Sequence, residues 1–150
     1  MKAFITIVCL FGAVFGYQSD YVSLEGLESL YSLDNTTYVT WQDAASQCRE
    51  DGAHLLIIDS QDELDAVIQL RYSKGVDKFL SWAGFHDLFV EGQYITVQDE
   101  PIAYNTWYTG YPFESDEVNC GGVLSLNDAT GIVIYTCSAL RTFICEKSAS

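Results

Sequence analysis

The 150-residue chain carries 21 acidic residues against 7 basic ones, a formal net charge of −14, and is 49% hydrophobic and 14% aromatic. Such a charge repels nucleic acid and anionic membrane surfaces, so neither is an expected partner, and the acidity reads as solubility in an extracellular fluid. The length suits one hydrophobic core and is too short for two.

Residues 1–16 read as a signal peptide: Lys2 is a one-residue positive region, residues 3–15 are apolar, and Gly16 supplies the small residue before the cut. The apolar run is well short of the roughly 20 residues that a bilayer demands, and no second such run follows, so no membrane span is expected. Cleavage removes Cys9 and Lys2, leaving six cations against 21 acids, a net charge of −15. Residues 17–29 lack a clear period and read as an N-terminal arm, and residues 148–150 as a tail around a domain spanning 30–147.

Two helices are predicted from caps and periodicity. Thr40 and Asp43 form a capping-box-like pair, after which Trp41, Ala44, Ala45 and Cys48 fall at i, i+3, i+4, i+7. Ser60 and Glu63 repeat the cap, Leu64, Val67 and Ile68 make the apolar stripe, and Gly75 ends the helix. Residues 55–58 form a short apolar strand between them. Aromatic and β-branched residues then dominate, and strands are predicted over 80–85, 93–97, 123–126 and 132–137. The segment 127–131 (Asn-Asp-Ala-Thr-Gly) joins the last two as a hairpin, because Asn, Asp and Gly tolerate positive φ. Helices followed by antiparallel strands give an α+β class.

Beyond the signal, four cysteines stand at 48, 120, 137 and 145. Zinc sites want cysteines two to four residues apart, so this even set reads as two disulfides in an oxidising compartment; three pairings remain open. His54 and His86 each sit beside a strand and read as partners in local hydrogen bonds. No His-Glu-x-x-His, Gly-x-Ser-x-Gly or free-cysteine arrangement accompanies them, so no enzyme is expected. Asn35-Thr36-Thr37 is a glycosylation sequon at Asn35.

Trp41 to Cys48, Gly52-Ala53-His54-Leu55, Trp82-Ala83-Gly84-Phe85, Trp107, Cys120, Cys137 and Phe143-Ile144-Cys145-Glu146, taken in this order, resemble a C-type lectin-like domain. Within that family, Gly84-Phe85-His86-Asp87-Leu88-Phe89 with Glu91-Gly92 and Val97 resembles the insect haemolymph lipopolysaccharide-binding group. The resemblance implies two helices with short antiparallel sheets, a long loop, and bridges Cys48–Cys145 and Cys120–Cys137.

Sugar-binding members of the family hold calcium through carboxylate and amide oxygens that also accept hydrogen bonds from sugar hydroxyls. The family's acid-Pro-amide motif falls here on Tyr111-Pro112-Phe113, its Trp-Asn-Asp on Ile132-Val133-Ile134, and a further acid on Val118. Calcium takes six to eight oxygens, and none of these side chains offers a carboxylate or amide. No resident cofactor is therefore expected, with calcium only at a non-standard site, for which Glu114, Asp116 and Glu117 are candidates against the plainer reading of a solvated acidic turn.

The loop is left rich in aromatics: Tyr104, Trp107, Tyr108, Tyr111 and Phe113. Trp107 matches a core position of the family, whereas the others either brace the loop by packing or stack on a ligand. The ligand-binding candidates are Tyr108, Tyr111 and Phe113. The expected function is a secreted recognition module that meets a glycan or microbial surface such as lipopolysaccharide. The alternative is an extracellular protein partner, which the acidity favours over an anionic lipopolysaccharide.

Overall fold

The computed structural model describes residues 20–76 and 78–150; the signal segment and Cys9 lie outside them. Two helices, α1 (Trp41–Glu50) and α2 (Gln61–Ser73), stand beside strands β1 (Val22–Ser23), β2 (Ser29–Leu33), β3 (His54–Leu55), β4 (Ser81–His86), β5 (Ile95–Thr96), β6 (Cys120–Leu126), β7 (Ala129–Tyr135) and β8 (Thr142–Ser148). The sheet runs β1-β2-β8-β4-β6-β7, with β3 added to β8 and β5 to β4.

Both helices begin where the caps place them. The Thr40 hydroxyl accepts from the Asp43 N–H, and the Ser60 hydroxyl from the Glu63 N–H, each at 3.2 Å. These bonds satisfy donors that a helix start otherwise leaves unpaired. In the second cap the Glu63 carboxylate reaches back one residue further than a capping box requires, taking the Asp59 N–H at 2.8 Å. Helix α1 buries Trp41, Ala44, Ala45 and Cys48, as its period predicts, and α2 ends at Lys74 with Gly75 at φ +70°.

The strands depart from expectation in instructive ways. The run 55–58 pairs only at its start, because its remaining backbone is shared between two neighbours: Leu56 N–H donates to Ile144 O, and Leu56 O accepts from Gly84 N–H at 2.6 Å. That approach leaves no room for a side chain, and a Cβ on Gly84 would lie 2.4 Å from Leu55 O. The hairpin closes through two residues only, Asn127 and Asp128 at φ +52° and +62°, so Ala129, Thr130 and Gly131 belong to β7. Positive φ at both central residues matches the twist of the flanking strands. Strand β7 stops at Tyr135, and Cys137 lies beyond it.

Three strands were not assigned from sequence: β1, β2 and β8. Strand β8 runs antiparallel to β2 and β3 but parallel to β4, with Ser81 opposite Thr142, so the sheet is mixed rather than antiparallel throughout. Disulfides Cys48–Cys145 and Cys120–Cys137 tie α1 to β8 and β6 to the segment after β7. The core splits into one cluster under α2, around Leu56, Leu64, Val67, Ile134 and Ile144, and another under α1, around Trp41, Trp82 and the first bridge. The two indoles are also hydrogen-bonded: Trp41 Nε1 donates to Ala83 O and Trp82 Nε1 to Val39 O.

Candidate functional site

The long loop between β5 and β6 is positioned by β7. Tyr108 N–H donates to Ile132 O and Ile132 N–H to Thr106 O, both at 2.9 Å, so the loop backbone lies along the strand. Gly131 permits this approach, since a Cβ there would stand 2.3 Å from Tyr108 N. From this attachment the aromatics go two ways. Trp107 turns inward, edge-on to Phe85 and Tyr94 at centroid distances of 5.9 and 4.9 Å. Tyr104, partly buried against the same core cluster, donates its hydroxyl to Gln61 Oε1 at the start of α2.

Tyr108, Tyr111 and Phe113 turn the other way and form a continuous ridge, with centroids 6.3 Å apart for Tyr108–Tyr111 and 5.2 Å for Tyr111–Phe113. Tyr108 and Tyr111 are half-buried against the core, while Phe113 is 44% exposed. Tyr108 and Tyr111 pack on the core with part of each ring left in solvent, and Phe113 is the most exposed of the three. The Tyr108 hydroxyl donates to Leu126 O at 3.2 Å, fixing the ridge to the hairpin end. Burial raises the Tyr111 phenol pKa, followed by neighbouring Tyr135 and Tyr108, so its hydroxyl stays protonated in neutral solution.

Ile132, Val133 and Ile134 are 1%, 0% and 0% exposed. Hydrocarbon in the core offers no oxygen, and neither residue beside Pro112 carries a carboxylate or amide, so these positions do not fit calcium. Glu114, Asp116 and Glu117 are exposed, and they do not form a metal-holding group; no three His, Cys, Asp or Glu side chains do so among the described residues.

The loop after β4 adds features that periodicity does not reveal. Leu88, Phe89 and Val90 are 44%, 76% and 50% exposed, with Phe89 edge-on to His86. In the sequence this stretch is marked by three consecutive apolar residues running into Glu91-Gly92 and by its part in the resemblance to the lipopolysaccharide-binding group. Glu91 Oε1 accepts from Ser115 N–H at 3.0 Å, joining this loop to the long loop. Asp87 is 2% exposed; its Oδ2 takes the Gly92 N–H, while Oδ1 is buried without a hydrogen-bond partner. Burial first, then the charges of Asp87, Glu91 and Glu114, push the Tyr94 phenol up to about 12. Burial lowers the pKa of His86, whose Nδ1 accepts from Leu88 N–H. His54 Nδ1 lies 2.8 Å from Leu55 O.

Two helices against a mixed sheet, two bridges and a long loop laid on the last hairpin define a C-type lectin-like domain. Residues 37–147 match the family described as Lectin C-type domain, and the chain belongs to that family. It is 33% identical over 116 residues to the hemolymph lipopolysaccharide-binding protein of Periplaneta americana, covering 71% of this chain and 44% of that protein. The chain thus spans less than half the length of that relative. Human lithostathine superposes with a TM-score of 0.76 at 22% identity, covering 85% of this chain and 96% of the other. A calcium-independent type II antifreeze protein superposes with a TM-score of 0.69 at 25% identity, covering 87% and 98%.

Proposed function

We propose that this domain is a secreted recognition module of innate immunity that binds microbial surface glycans, lipopolysaccharide among them, through the ridge Tyr108-Tyr111-Phe113, and that it binds rather than catalyses. The observation that carries this reading is the pairing of a half-exposed aromatic ridge with hydrocarbon at the positions where the family's sugar-binding members hold calcium. Aromatic faces stack on the C–H faces of sugar rings without needing an ion. The hemolymph lipopolysaccharide-binding protein of Periplaneta americana supports the ligand class, and the calcium-independent antifreeze protein supports function on this fold without the metal. The sequon at Asn35 is exposed, as a glycan acceptor needs, and no described helix is long and apolar enough to cross a membrane.

A second reading, an extracellular protein partner, is favoured by the exposed Leu88-Phe89-Val90 tip and by a net charge unsuited to an anionic surface. The two separate in one experiment on protein bound to immobilised lipopolysaccharide in excess chelator. Binding that persists there and is released by the free core oligosaccharide supports the glycan reading. No binding to any microbial glycan, with or without calcium, rejects it in favour of the protein partner.

A further inference from the structure

The chain is strongly acidic, yet its few cations are not spread evenly. Of seven, Lys2 lies outside the described residues and Arg71 is fully buried, leaving five: Arg49, Lys74, Lys78, Arg141 and Lys147. Two of these five, Lys78 and Arg141, stand at one place, with Lys74 next to it in the chain. A surface pocket of about 250 Å³ is lined by Tyr38, Gly75, Val76, Lys78, Phe79 and Thr142. Lys78 is in its wall, Lys74 immediately precedes its Gly75, and the Arg141 guanidinium lies 5.5 Å from the centroid of its Phe79. Arg141 also lies over Tyr135, donates to Leu140 O, and keeps its Nε buried without an acceptor.

The pocket is built on a fixed frame. Arg71, buried beneath it, donates to Phe79 O, Ser81 Oγ and Val123 O, and Thr142 Oγ1 shares a hydrogen bond with Ser81 Oγ. Phe79 and Tyr38 stand 60% and 52% exposed in this lining, so ring surface is open to a ligand.

We propose that this pocket is a second binding site, separate from the long loop, that takes a single acidic sugar residue bearing a carboxylate or a phosphate. The rings supply faces for a pyranose, and Lys78 and Arg141 supply the charge for its acid group. A pocket of about 250 Å³ has room for a single sugar ring. Charge narrows the class further: among the described residues Lys78 lines the pocket and Arg141 stands over its Phe79, with no acid in the lining, so an anionic group gains here what a neutral sugar does not. No residue is shared with Tyr108, Tyr111 and Phe113, so the two sites stand or fall separately.

Asn35 Nδ2 donates to Lys74 O at 2.8 Å, which places the sequon at the rim. The test is therefore made on the glycosylated protein and on the same protein after enzymatic removal of its glycan. Galacturonic acid and glucose 1-phosphate, with the methyl ester of the first and free glucose as neutral controls, are titrated while amide NMR shifts are followed. Shifts at 75, 76, 78, 79 and 142 with either acid and not with its neutral control are expected, and the carboxylate and phosphate arms decide which acid group is preferred. Lys78→Glu should weaken that binding about tenfold. Phe79→Ala should weaken it by a comparable factor, whereas Phe113→Ala should leave it unchanged. Equal shifts from acid and neutral sugars, indifference to Lys78→Glu and Phe79→Ala, or shifts produced only by removing the protein's own glycan would each overturn the proposal. Both variants change exposed side chains, so an unchanged amide spectrum elsewhere shows that folding is intact.

Discussion

Glu63 is an acid set almost wholly inside the protein, 3% exposed, with its two oxygens already engaged. Oε1 accepts from the Tyr31 hydroxyl at 2.5 Å and Oε2 from Asp59 N–H at 2.8 Å. Burial outweighs these bonds and lifts its pKa to about 7, while burial and the Glu63 charge together drive the Tyr31 phenol far above its ordinary value. Since the folded value lies above the ordinary 4.5, the contribution of this group to stability is complete below about pH 4.5 and is lost as pH rises through about 7. Glu63→Gln mimics the protonated acid, so the difference in Tm between wild type and variant should change across that window, the wild type losing ground as pH rises. Thermal melts at several pH values check this; a difference that stays constant with pH would show that Glu63 is ionised throughout. A second residue-scale expectation concerns Gly84: with Leu55 O only 2.4 Å from a would-be Cβ, Gly84→Ala must push two strands apart, at about 1 to 3 kcal/mol in denaturant unfolding.

At the scale of elements, the helices were legible in the sequence because their signals are local. Thr40 and Ser60 act within three residues of themselves, and Gly75 supplies the left-handed stop at the point where it is needed. The Asn127-Asp128 turn was legible for the same reason, although its length was not, because where the ladder resumes depends on what Ala129 and Thr130 face on β6. Strands β2 and β8 escaped because they are defined by each other across more than a hundred residues, and nothing within Ser-Leu-Tyr-Ser-Leu names its distant partner. The inward turn of Trp107 was legible from the resemblance, but the division of labour along Tyr108-Tyr111-Phe113 depends on how Gly131 admits the loop. Gly131→Ala should therefore detach the ridge while sparing the helices: amide exchange at 106–111 should rise strongly and that within α1 and α2 should not. Equal deprotection everywhere would mean that the loop and the core form one cooperative unit. The Cys120–Cys137 bridge closes a 17-residue span, and removing it by paired Cys→Ala substitution should cost about 3 kcal/mol. Equilibrium unfolding of that variant measures it, and a loss near zero would place the constraint elsewhere in the fold.

For the whole molecule, charge and exposure decide where a ligand can go. A chain with 21 acids and 7 cations holds anionic surfaces off except where its cations gather, and it presents apolar rings at the long loop, at the β4 tip and around Phe79. The family alone does not choose among these, since one fold carries many ligands. The central claim is that the long-loop ridge, rather than an ion, makes the glycan contact. Its most direct test is the affinity of wild type and of Tyr111→Ala/Phe113→Ala for immobilised lipopolysaccharide, both in chelator and both shown to melt cooperatively. Wild type should bind in chelator and the variant should lose about tenfold or more, as expected when stacking faces are removed. Wild-type binding that appears only with calcium, or a variant that binds as tightly as wild type, would contradict the claim.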